Sequence, residues 1–270
     1  VTPIPDPLPG QTCCQRGALV SVEGITGSGK TYLTSQLTAH LAAAGCQASA
    51  IDDFSTRREA AGPDLGRAFL HALISASGGD RYLRGGHLQA ETLLLLAIKT
   101  YDYEASTLRS RPWQLILEGR GIDTIAVYQS VLMHPADDAA LVQAREILQL
   151  ARIWRPLPDL TILITDEPIA SLRRASDRDQ RPFTRYEQHI EHRADALYRR
   201  LAAEDPARIR VLNRPDCDTG TAIRIMHDWI TGISKGLECQ PQAGTGEQCG
   251  HGCRVGRSSA GSRRPEQAPA

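Results

Sequence analysis

No stretch of the 270-residue chain is apolar for the roughly 18 residues that a membrane-crossing helix needs; Leu93 to Ile98 is a short run that Lys99 stops. The first residues, VTPIPDPLPGQ, hold neither a basic start nor a hydrophobic signal segment, so a cytoplasmic protein is expected. Neither sign of charge is in excess. Lys plus Arg number 31 and Asp plus Glu 31, which excludes a global field that would draw the chain to nucleic acid or an anionic membrane. A cysteine framework is also missing: the seven cysteines are odd in number and scattered, and thiols are expected. Cys249-Gly-His-Gly-Cys253 lacks a second ligand pair at zinc-site spacing, and His189 and His192, three apart on a helix, have no third ligand. There is no internal repeat, no G-x-S-x-G elbow and no paired-cysteine redox motif.

What is present is apolar material for a sizeable core, 41% of residues, in an orderly pattern. Proline and glycine punctuate the first 17 residues, and from about Lys235 the chain turns to Gly, Ser, Gln, Pro and Arg. Such ends bury too little surface to offset their ordering entropy. One domain over residues 17–236 is expected, with residues 1–16 and 237–270 as disordered extensions. Within it, strands are predicted at Ala18 to Glu23, Gln47 to Ile51, Gln114 to Glu118, Leu160 to Thr165 and Ile209 to Leu212. Helical patterns cover Thr31 to Ala44, Asp64 to Ser77, Leu88 to Leu108, Asp137 to Ile153, Arg185 to Ala203 and Thr219 to Ile233. Five buried strands with helical crossovers predict an α/β fold, a five-stranded parallel sheet with helices on both faces.

Gly24-Ile25-Thr26-Gly27-Ser28-Gly29-Lys30-Thr31 completes the P-loop pattern between an apolar strand and an amphipathic helix. Its glycines let backbone amides, those of Thr26 and Ser28 among them, converge on phosphate oxygens, and the helix N-terminus adds partial positive charge. Lys30 is expected to reach the β- and γ-phosphates of ATP, and the Thr31 hydroxyl to ligate Mg2+.

Three later segments bear on what receives the phosphate. Ile51-Asp52-Asp53-Phe54 ends the second strand, at the sheet edge where ligands bind; Asp53 either orients or deprotonates an acceptor hydroxyl, reaches magnesium through water, or caps a loop. Glu118-Gly119-Arg120-Gly121 follows the third strand, where the acid suits magnesium, or a surface salt bridge, and Arg120 suits a phosphate held between donor and acceptor. Arg173 to Arg181 carries four arginines, among them Arg174 and Arg178, on what reads as a polar loop; it is either a lid that neutralises transition-state charge or a solvated basic face.

Together these segments resemble the thymidylate kinase family of P-loop nucleoside monophosphate kinases over about Leu19 to Ile233. Glu23 to Thr31 looks like that family's E-G-x-D-G-x-G-K-[ST] loop, and Arg120-Gly121-Ile122-Asp123-Thr124 with Tyr128-Gln129 resembles its D-R-Y-x-D-S-x-x-A-Y-Q segment. Pro158-Asp159-Leu160-Thr161 with Ser171-Leu172-Arg173-Arg174 is similar to its P-D-L-T strand and arginine-rich lid. The resemblance implies transfer of the ATP γ-phosphate to dTMP or a related nucleotide with Mg2+, on a five-stranded parallel sheet, commonly in a homodimer. It also implies that Arg120 touches the transferred phosphate and that Asp123, Tyr128 and Gln129 belong to the acceptor pocket. Glu91 to Lys99 looks like the helix that holds the base, with Leu95 where the family stacks a Phe and Lys99 where it has an Arg.

The sequence also departs from the family. Thr26 stands where the loop usually has Asp, Gly119 where the D-R motif has its acid, and Gly121 where an aromatic ring lines the pocket. Asp52 to Arg58 is not the usual R-E-P-G-G-T, although Arg57 could meet an acceptor phosphate. Two alternatives therefore stand beside the nucleotide kinase: a kinase for a hydroxyl of a nucleoside or other small molecule with Asp53 as base, and an ATP-binding regulatory protein without chemistry.

Overall fold

Strand β1, Leu19–Glu23, is buried along its whole length at the centre of a parallel sheet. The computed structural model describes residues 17–46, 48–51, 64–109 and 115–237. Four more strands complete the sheet: β2 Ala48–Ile51, β3 Leu115–Gly119, β4 Leu160–Thr165 and β5 Ile209–Asn213, in the order β2-β3-β1-β4-β5. All four pairings are parallel, with Ser21 opposite Glu118 and Glu23 opposite Leu163.

Side-chain alternation gives the sheet two unlike faces. Val20, Val22, Leu117, Ile162 and Ile164 form one apolar layer with helix α1 (Lys30–Ala43), through Leu33, Leu37 and Leu41, and with the C-terminal helix Thr219–Leu237, through Ala222, Met226 and Ile230. Those residues recur at helical spacing, which is why one face of each helix is buried. The opposite face carries Ser21, Glu23, Glu118, Thr161 and Thr165, each at most 1% exposed. Polar groups on a buried sheet face need partners there, and these lie under helices α2 (Leu65–Ala76), α3 (Leu88–Arg109), α4 (Ile122–Met133) and α5 (Asp137–Trp154) and the long helix Arg185–Glu204.

The expected sheet is present, and Asp64 and Ser77, the predicted bounds of the second helix, are its N- and C-caps. Two helices were not foreseen. α4 is buried at Ile122, Asp123, Ile125, Ala126, Val127, Gln129, Ser130 and Val131, so it has no polar stripe to reveal a helical period. Pro168–Asp179, α6, replaces the expected polar loop: the Glu167 side chain accepts from the amides of Ile169 and Ala170, and Pro168 opens the first turn. α6 buries only Ser171, Leu172 and Ala175, and the last two form a small separate cluster with Phe183. Helix α7, Arg185–Glu204, begins with a capping box between Thr184 and Glu187, and Thr219–Leu237 is α8.

Candidate functional site

The chain leaves β1 through a loop whose glycines are dictated by close approach. A Cβ on Gly24 would lie 2.3 Å from the Ile164 carbonyl oxygen and one on Gly27 1.9 Å from that of Ser171, and both residues have positive φ. Lys30, the first residue of α1, is buried and folds back so that Nζ donates to the carbonyl oxygens of Gly24 (2.8 Å) and Ile25 (2.6 Å). The Ser28 hydroxyl is buried and has no hydrogen-bond partner among the described residues. Outside this loop lies a cavity of about 600 Å³, bounded by Gly27 to Tyr32, Asp166, Arg174 and Arg214. Arg174 donates to the Gly27 carbonyl oxygen (3.2 and 3.1 Å) and pairs with Asp166, so α6 is tied to the loop by one guanidinium.

A second cavity, of about 190 Å³, opens on the other side. Thr26, Tyr82, Leu95, Thr124, Tyr128 and Gln129 line it. The rings of Tyr82 and Tyr128 stack with centroids 5.8 Å apart, and burial beside Glu191 raises both phenols above their ordinary pKa, so they stay protonated. Arg120 and Arg178 line both cavities. Arg120 has φ 53, a left-handed backbone that costs an ordinary residue about 1 kcal/mol, just past the point where its amide meets the Val22 carbonyl (3.4 Å).

Under this second cavity the polar sheet face is fully occupied. Glu23 accepts from Ser21 Oγ (2.5 Å), the Gly121 amide (2.7 Å), Tyr198 (3.3 Å) and Thr124 Oγ1. Burial, and the Asp123 carboxylate behind it, raise Glu23 to about 7 against the pull of the Ser21 and Thr124 hydroxyls. Glu118 and Arg155 form a buried two-pronged ion pair at 2.9 and 3.0 Å. Asp123 is clasped by Arg208 (2.8 and 2.9 Å) and by Thr161 Oγ1 (2.8 Å).

No family model matches the chain. The thymidylate kinase of Rhizorhabdus wittichii is 30% identical over 207 residues, which cover 73% of this chain and 89% of that protein. That of Halorhodospira halophila is 28% identical over 221 residues, 78% and 93% of the two. This chain belongs to the thymidylate kinase family. Among solved structures, the thymidylate kinase from Candida albicans shares the fold with a TM-score of 0.57 at 20% identity, covering 83% of this chain and 94% of that one.

This thymidylate kinase family member carries the full P-loop pattern, and charged groups fill the floor beneath the neighbouring cavity. Leu95, Tyr128 and Gln129 line that cavity, whereas Lys99 and Asp123, expected at it, do not. Lys99 is fully buried, its Nζ 3.4 Å from the Gly119 carbonyl oxygen, and desolvation lowers its pKa. Asp123 is consumed by Arg208. Glu118, expected at the metal, points to the face opposite Gly119 and is held by Arg155, as strand alternation requires. A Cβ on Gly121 would lie 2.4 Å from Glu118 Oε1, so the buried acid, as it is held, leaves no room for a side chain at 121. Asp53 and Arg57 lie outside the described residues.

Sequence reasoning missed Tyr82, Arg155, Arg208 and Glu191. One signal was available for Glu191: in α7 it falls on the buried stripe with Ile190, Ala194, Leu197, Tyr198 and Leu201, where a carboxylate needs a reason.

Proposed function

We propose that this chain transfers the γ-phosphate of ATP to the phosphate of dTMP. The observation that carries the reading is the wall shared by the two cavities: Arg120 and Arg178 border both the P-loop cavity and the tyrosine-lined one. Charge that builds up on a phosphoryl group in flight between two nucleotides is stabilised by donors aimed at that midpoint.

In this reading the amides of Gly27 to Thr31 and the ammonium of Lys30 hold the β- and γ-phosphates of ATP, Lys30 exchanging its two loop carbonyls for phosphate oxygens. The bond from the γ-phosphorus to the β–γ bridging oxygen breaks, and a new one forms to a phosphate oxygen of dTMP, giving ADP and dTDP. The acceptor is already an anion at neutral pH, so no general base is required. Arg174 and Arg178 on α6 close over the donor as a lid, and Tyr128, Gln129 and Leu95 hold the thymidine.

Magnesium suits the donor cavity. Among the described residues no three His, Cys, Asp or Glu side chains gather as a metal cluster, but Mg2+ usually keeps several waters and takes one or two protein oxygens besides phosphates. Thr31, exposed at the start of α1 and lining the cavity, would hold it, and the ion would neutralise charge on the β- and γ-phosphates. An assay of ADP release across nucleoside monophosphates tests the proposal. Turnover should be highest with dTMP, and its absence with every monophosphate would end the reading.

A further inference from the structure

At position 26 the family's loop has a carboxylate and this chain has threonine, yet a carboxylate is there. Glu191, in the middle of α7 and fully buried, reaches that point from 165 residues away. Its Oε2 accepts from the Thr26 amide (3.0 Å) and from the Tyr128 hydroxyl (2.6 Å). Its Oε1 accepts from the Thr26 hydroxyl (2.8 Å) and from the Tyr82 hydroxyl (3.3 Å). Each oxygen therefore bridges the P-loop to one of the two stacked tyrosines, and Thr26, Tyr82 and Tyr128 all line the acceptor cavity.

We propose that Glu191 is a positioning residue that joins the two halves of the site, supplying from α7 the carboxylate absent at position 26 and locking the P-loop to the tyrosine wall. The proposal rests on the reading of that cavity as the acceptor pocket. A buried carboxylate that served the fold alone would draw its donors from the framework; all four here belong to the cavity's own walls. The arrangement also sets the polarity of the wall. Tyr82 has a second acceptor in the Glu187 carbonyl oxygen at 3.0 Å, so its proton, like that of Tyr128, is turned toward α7. Each phenol has one proton, and both are committed to α7, so neither hydroxyl donates into the cavity.

The test is a cycle of Glu191→Gln, Thr26→Asp and the double variant. Glu191→Gln puts an amide NH2 against a pair of donors, and is expected to raise KM for dTMP about tenfold and lower kcat about tenfold, with KM for ATP within about twofold. Thr26→Asp sets a second carboxylate against Glu191 and should lower kcat/KM about 100-fold. Thr26→Asp with Glu191→Gln should recover at least about tenfold over Thr26→Asp alone, a compensation that a merely structural role would not produce. A Glu191→Gln enzyme within twofold of wild type overturns the proposal, as does a double variant no better than Thr26→Asp. If Glu191→Gln does not fold, the comparison of Thr26→Asp with the double variant decides alone. A wild-type chain that turns over no monophosphate fails the function first and the proposal with it, an outcome distinct from normal wild-type turnover with additive variants.

Discussion

The donor cavity is built on a loop whose path its own backbone sets, the acceptor cavity on side chains brought together from distant segments. Around the P-loop, glycines set the path, and the Gly24 and Ile25 carbonyls hold Lys30 within six residues of chain. Around the tyrosines, the geometry depends on contacts between distant segments: Thr26 with Glu191, Tyr82 with Tyr128, and Glu118 with Arg155 below. A backbone cradle tolerates few sequences and keeps its pattern. A side-chain floor is free to change provided that every buried charge finds a partner, and here Glu118 has Arg155 and Asp123 has Arg208.

Breaking the donor side should have the largest effect. Lys30→Ala is expected to lower kcat with ATP and dTMP by about 10²–10³ while KM for dTMP changes little; an equal loss in both would mean that the two cavities are not separate. Breaking the acceptor floor should appear first in stability. Arg155→Met leaves Glu118 as an uncompensated buried charge and should cost about 3–5 kcal/mol in denaturant unfolding. Adding Glu118→Leu should restore most of that loss, and an undiminished deficit in the pair would show that the ion pair is not what holds the floor.

The smallest effect sharpens the junction between the two. An unfolded glutamate releases its proton near 4.5, whereas Glu23 keeps its own until about 7. Between those values the folded chain binds more protons, so the Glu23 contribution to stability is full below 4.5, falls as pH rises through the window, and levels above 7. Melting midpoints of wild type relative to Glu23→Gln should decline across that window by the equivalent of about 1–3 kcal/mol; parallel profiles would remove Glu23 as the source.

This contrast also explains what was legible in the sequence. The sheet and the P-loop are local patterns, an apolar run and a glycine spacing, and they read correctly. α4 escaped because a helix buried on nearly every side shows no amphipathic period. α6 escaped because its Arg and Asp content resembles a loop, and its start depends on Glu167 and Pro168 rather than on an apolar stripe. Lys99, Asp123 and Glu118 were read as site residues by position, but their side chains meet carbonyl and charged groups beneath the cavity that no linear spacing reveals. Glu191 was missed for the converse reason, since nothing near it in sequence marks Thr26 as its partner.

In the proposed reading two nucleotide cavities meet at Arg120, which lines both. Calorimetric titration with an adenosine–thymidine compound joined by a chain of phosphates tests this most directly. One molecule should bind per chain, at least about 100-fold tighter than an unreactive ATP analogue, with that advantage lost in Arg120→Ala. A compound that binds no tighter than the ATP analogue would contradict it.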